Sequence, residues 1–256
     1  MAKNQDEQVK LDSNRLIETF DQLQLRISDR FPRSGLLTIC EKITGVARES
    51  QATAERIGDT IWSMRCLSGI TIVSLIAFIV YAAMTFRHEE GLTLEQVIQV
   101  AEAGTNLLIF VAIAIYWIWT SELKMRRARV IHAMNRLREF AHVIDMHQLT
   151  KDPDSAFNVS APTAHSPARR LPPYQLGRYL DYCSEMLSLI SKLGYLYVSR
   201  FEDPTANQSA VELESLCTGL SQKIWQKIMI IRSLGAQFPE KMAADYGKLE
   251  VGLEID

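Results

Sequence analysis

The chain has 256 residues, 47% of them hydrophobic and 23% charged, with a formal net charge of −2. A near-neutral balance of this kind argues against a polyanion-binding protein, and no nucleic-acid partner is expected. The length suits one large domain or two small ones.

In chain order, the first predicted element is a helix over 13–30, with Leu16, Phe20, Leu23 and Ile27 on heptad spacing. The run Phe31-Pro32-Arg33-Ser34-Gly35 ends it, and residues 1–35 form an N-terminal cytoplasmic segment. No proline lies between Pro32 and Pro153, so long uninterrupted helices are permitted there. Cys40, Ile43, Ala47, Ser50, Ala54, Ile57, Ile61 and Met64 recur at alternating spacings of three and four. That is the seam of helices crossing at a shallow angle, as in a coiled coil.

Residues 66–86 then carry no charge and rise roughly 31 Å as a helix, the thickness of a hydrocarbon core. A second uncharged run covers 104–120. Both read as transmembrane spans. The first starts well inside the chain after a polar segment, so a cleaved signal is not expected. Between the spans a turn is predicted over 87–92, and Thr93 with Gln96 fits a capping box. Residues 93–103 either extend the second span or lie on the outer surface, with Gly104 as the hinge between those options.

The cations set the orientation. Arg48, Arg56, Arg65, Lys124, Arg126, Arg127 and Arg129 flank the spans on one side, while the connecting loop is mostly acidic. The cationic side is therefore expected in the cytoplasm, with both termini inside a multi-pass protein of the cell (inner) membrane. Trp62, Trp117 and Trp119 fall at the same interface, where amphipathic rings prefer to sit. The run Lys124, Arg126, Arg127 and Arg129 reads first as a topology signal and second as a set of lipid headgroup contacts.

After the second span Val130, Met134, Leu137, Ala141 and Ile144 repeat the heptad seam. Stretches 36–65 and 121–149 are nearly equal in length, so each span is expected to continue as a cytoplasmic stalk helix, the two packed antiparallel. The stalk tip holds His142, Asp145, His147 and Asp152. His142 and Asp145 share a helix face, but His147 lies about 140° around from His142, so one ion could not take both rings without distortion. A solvated or partner-contacting tip is the favoured reading over a metal-dependent enzyme.

Residues 150–173 contain five of the eight prolines and read as a linker. A cytoplasmic helix pair follows over 174–238, with helices at 174–201 and 208–234. Pro204 separates them, and Gly235 with Pro239 ends the second. A tail occupies 239–256. Cys40, Cys66, Cys183 and Cys217 form no C-x-x-C pair and read as small apolar residues.

The fold class expected is thus an all-α membrane protein. Its transmembrane αα-hairpin with cytoplasmic stalk occupies 36–149, the spans at about 66–86 and 104–120, and the helix pair lies C-terminal. There is no phosphate-binding glycine loop, no G-x-S-x-G and no H-E-x-x-H. No catalytic residue, metal or cofactor is expected. The first functional expectation is a non-enzymatic interaction or signalling platform that forms homo-oligomers, contacts membrane lipids and receives a cytoplasmic protein partner. The alternative is an oligomeric pore-forming effector or channel, with Ser68, Thr71 and Ser74 lining the pore or packing the spans.

Overall fold

The computed structural model describes residues 11–58, 62–86, 93–159, 164–165, 171–199 and 201–242. Its helices are α1 (Ser13–Arg30), α2 (Gly35–Gly58), α3 (Trp62–Phe86), α4 (Leu94–Leu149), α5 (Pro153–Ala156), α6 (Pro173–Val198) and α7 (Pro204–Gln237). No strand occurs among the described residues. The chain divides into two compact units, Met1–Gly58 with Val130–Asp256 and Asp59–Arg129.

The first unit is a bundle. Asp12 caps α1, its Oδ1 accepting the Asn14 N–H at 2.8 Å. Leu16, Phe20, Leu23 and Ile27 are the buried stripe of that helix, and Pro32 follows its end. α2 runs back along α1, tied by Arg48 to Asp21 at 2.7 Å. The segment of α4 from Val130 lies antiparallel to α2. Arg136 meets Glu49 at 3.1 Å near one end, and the His147 ring sits over Gly35 at the other. Val130, Met134, Leu137, Ala141 and Ile144 are all buried, as are Cys40, Ile43, Ala47 and Ser50. α7 runs parallel to this segment, joined by Arg138 to Glu212 at 2.6 Å and by Lys227 to the Gln148 carbonyl at 2.8 Å.

α6 is the inner helix. It packs on α1, α2, α5 and α7, and at Gly194 it comes close to Met134 of α4. Its buried positions, from Leu176 to Val198, cover more than half of its circumference. Phe31 meets Tyr179 and Tyr182 edge-to-face, with ring centroids 5.6 and 6.2 Å apart, an arrangement that the aromatic quadrupole favours. Each large apolar side chain buried here contributes about 1.5–3 kcal/mol. The wide apolar face of α6 therefore belongs to the bundle core shared with α1, α2 and α4.

Three local features differ from the sequence expectation. α7 starts at Pro204 itself, because Asp203 is its N-cap and a proline costs nothing in the first turn. It runs through Gly235 to Gln237, and Met242 folds back against that glycine. Within the expected linker, Asp152 caps the short α5, and Phe157 is fully buried beside Phe238, 6.4 Å between centroids.

In the second unit α4 begins at Leu94 and passes through Gly104 without a break, so residues 94–103 extend the helix. Thr71, Thr105 and Thr120 each donate their hydroxyl to the carbonyl four residues back, at 2.8 Å. Such back-bonding satisfies the hydroxyl donor of each of these three threonines within its own helix. Among the described residues one helix, from Ala101 in α4, is long and apolar enough to cross a bilayer, and only 6% of its most apolar 18-residue stretch is buried. The described apolar stretch of α3, Gly69–Tyr81, is shorter. The junction 59–61, the turn 87–92 and the side chains of Trp62, Arg65, Ser68 and Gln96 lie outside the described residues.

Candidate functional site

The stalk tip is built around the end of α4. Asp145 accepts from Gln148 Nε2 at 2.6 Å. Gln148 is 1% exposed. Its main-chain carbonyl and that of Lys151 receive the Lys227 ammonium, at 2.8 and 3.2 Å. The last carbonyls of a helix lack intrahelical donors and carry partial negative charge, so an ammonium from α7 satisfies both needs. Burial holds the Lys227 pKa below its ordinary value, and the nearby Asp152 and Asp145 carboxylates oppose that shift.

The sequence-named residues do separate jobs here. His142 is exposed. His147 packs on α2, where a Cβ at Gly35 would come within 2.5 Å of Cε1. Asp152 accepts the Asp154 and Ser155 N–H groups at 3.3 and 3.2 Å as the cap of α5. Among the described residues no three His, Cys, Asp or Glu side chains are grouped to hold a metal ion. Lys227 and Gln148, which organise the tip, escaped sequence reasoning. Lys227 reads there as a charge interrupting an apolar helix, and only its place between Ile224 and Ile228 hints at partial burial.

Just past the apolar stretch of α4, Arg126 is held by Glu122 one turn earlier, at 3.0 Å, with both side chains largely covered. Arg127 is engaged as well. Lys124 and Arg129 are exposed and have no ion-pair partner among the described residues. Just before them Tyr116, Trp117 and Trp119 stand out from α4, 67, 69 and 75% exposed. In α3, Ser74 is exposed while the Thr71 hydroxyl is bonded to its own helix.

The bundle offers one further surface. No contact closes α1 onto α7 among the described residues, and α6 is open along that side. The gap is a groove of about 1330 Å³ lined by Leu11, Leu16, Tyr195, Val211 and Glu214, among others. A smaller one of about 610 Å³ continues past Ser184, Ser188 and Trp225. On α7 the outward stripe Val211, Thr218, Gln222, Trp225 and Met229 flanks it at heptad spacing. Cys40, Cys183 and Cys217 are buried free thiols, and Cys66 is exposed. Burial pushes the thiols up, Cys40 to about 11 and Cys217 to about 12.

Against models of known protein families, characterised protein sequences and solved structures, the chain finds no match.

Proposed function

We propose that the chain is a non-enzymatic membrane protein whose cytoplasmic bundle serves as an interaction or signalling platform and associates with further copies of itself. The observation that carries this reading is the apolar stretch of α4, whose large side chains are almost all uncovered. In water such a surface would drive aggregation, whereas in a hydrocarbon core it costs nothing. With α3 as the other, first span, both termini lie on the cytoplasmic side of the inner membrane, in keeping with the cations at the end of the apolar stretch of α4. The groove between α1 and α7, flanked by the heptad-spaced stripe on α7, supports this reading as the place where a helix from a second copy docks.

Alkaline carbonate extraction tests the first half: an integral protein stays in the pellet, and release into the supernatant would end the membrane reading. Native mass determination in mild detergent tests the second. A dimer or larger species supports the platform, and a strictly monodisperse monomer removes it. Ser74, exposed on α3, favours a pore as the second reading. Replacing Ser68, Thr71 and Ser74 with Leu then abolishes ion flux in liposomes, and unchanged flux discards that lining.

A further inference from the structure

The four cations after the second span are not equivalent, and the difference points to a ligand. Arg126 is committed to Glu122 at 3.0 Å, and Arg127 is engaged. Lys124 and Arg129 remain, exposed and without an ion-pair partner among the described residues. Lys124 stands two turns beyond Trp117 on the same stripe of α4, offset by about 20° around the helix and about 10 Å along it. Helical side chains lean toward the N-terminus. On α4 the N-terminal direction leads to the apolar stretch, so both cations lean back toward it, Lys124 from about 10 Å beyond Trp117 and Arg129 from about 15 Å beyond Trp119, about 140° around the helix from Lys124. Trp side chains settle at the depth of headgroup and carbonyl, so these two long side chains reach phosphate on two sides of the helix.

We infer that Lys124 and Arg129 bind the phosphates of anionic phospholipids on two sides of α4, in the leaflet facing the bundle, with Trp117 seated against the glycerol region of the lipid held at Lys124. The Glu122–Arg126 pair takes no part, because its charges cancel within α4. The inference rests on the membrane reading above and names a partner for it. Each cation near an anionic surface contributes about 1 kcal/mol, a roughly fivefold preference for an anionic over a zwitterionic headgroup.

The test uses the full-length protein reconstituted in an equimolar mixture of phosphatidylglycerol and phosphatidylcholine, then released into mild detergent for native mass spectrometry of retained lipid. Wild type retains phosphatidylglycerol preferentially. Lys124→Gln with Arg129→Gln loses most of that preference, Lys124→Arg with Arg129→Lys keeps it, and Arg126→Gln with Glu122→Gln leaves it unchanged. An unaltered preference in the first double variant overturns the inference. So does competition by millimolar inorganic phosphate, which would mark a general anion site. Carbonate extraction of the same preparation separates the two failures. Protein that pellets but shows no lipid preference refutes the headgroup site alone, and protein that is extracted refutes the membrane reading.

Discussion

The Lys227 ammonium lies 2.8 Å from the carbonyl oxygen of Gln148 and so closes the end of α4 with a charge from α7. The contact carries a pH signature. Burial holds the native pKa of Lys227 below 10.5, its ordinary value. Between the native and unfolded pKa values the unfolded chain binds more protons, so stability rises with pH across that window. Below the native pKa the charged form is burdened in full by its desolvation, and above 10.5 that burden is gone. We expect the thermal midpoint in mild detergent, followed toward pH 10, to rise for wild type relative to Lys227→Met. Parallel curves for the two proteins would contradict this.

Gly194 brings α6 against α7 and α4. A Cβ there would lie 2.6 Å from Leu213 Cδ2 and 3.5 Å from Met134 Sδ. Leu213 is fully buried and has little room to yield. Gly194→Ala is therefore expected to destabilise the bundle by about 1–3 kcal/mol, against a helix-propensity gain of up to about 1 kcal/mol. Leu213→Ala in the same chain should relieve the clash, so the two changes together cost less than their sum in a double-mutant cycle. Additive losses would place the strain elsewhere.

Three aspartates act as caps, and at two of them, Asp203 and Asp152, a conservative swap separates capping from chemistry. Asp203 is 2% exposed and accepts the Ala206 N–H at 2.9 Å. Asp203→Ala should cost about 1–2 kcal/mol, with Asp203→Asn recovering most of it. At the tip Asp152→Ala should cost about 1 kcal/mol or less, and Asp152→Asn almost nothing. A cellular activity that fails in Asp152→Asn while the melting temperature holds would reveal a role for the carboxylate beyond the cap.

Thiol labelling reports both core and topology. Cys40 at about 11 and Cys217 at about 12 hold little thiolate at pH 8, and burial shields them and Cys183. One thiol per native chain, Cys66, should react with maleimide, rising to all four in denaturant. An impermeant maleimide should reach Cys66 in inside-out vesicles and not in intact cells. Labelling from the outer face would invert the proposed orientation.

Much of the helical architecture was legible because it rests on local spacing. Leu16, Phe20, Leu23 and Ile27 are the buried face of α1, and Val130, Met134, Leu137, Ala141 and Ile144 that of the α4 stalk. What spacing does not carry is the partner of each face. The broad apolar surface of α6 reads as one that must bury against its pair helix, the stalk or another subunit, and the structure has it meet α1, α2 and α7 at once, because any helix apolar over more than half its circumference must be surrounded. The tip escaped for a related reason. Lys227 and Gln148 are far apart in sequence, and a lysine among isoleucines gives no hint that it will cap another helix. Phe157 lies among prolines, and its burial depends on Phe238 arriving from the far end of the chain.

The central place of α6 also sets an order of events during synthesis. α1, α2, α3 and α4 leave the ribosome before any part of α6 exists, since α6 begins only at Pro173. Chains grow at about 5–20 residues per second, so the apolar stripes of α1, α2 and the α4 stalk wait several seconds for the helix that covers them. On the proposed membrane reading, α3 and α4 enter the bilayer in that interval, while the bundle is completed only once α6 and α7 have emerged. A nascent chain halted before Pro173 would therefore be bare along its inner faces, the state in which a holding chaperone or a protease finds it.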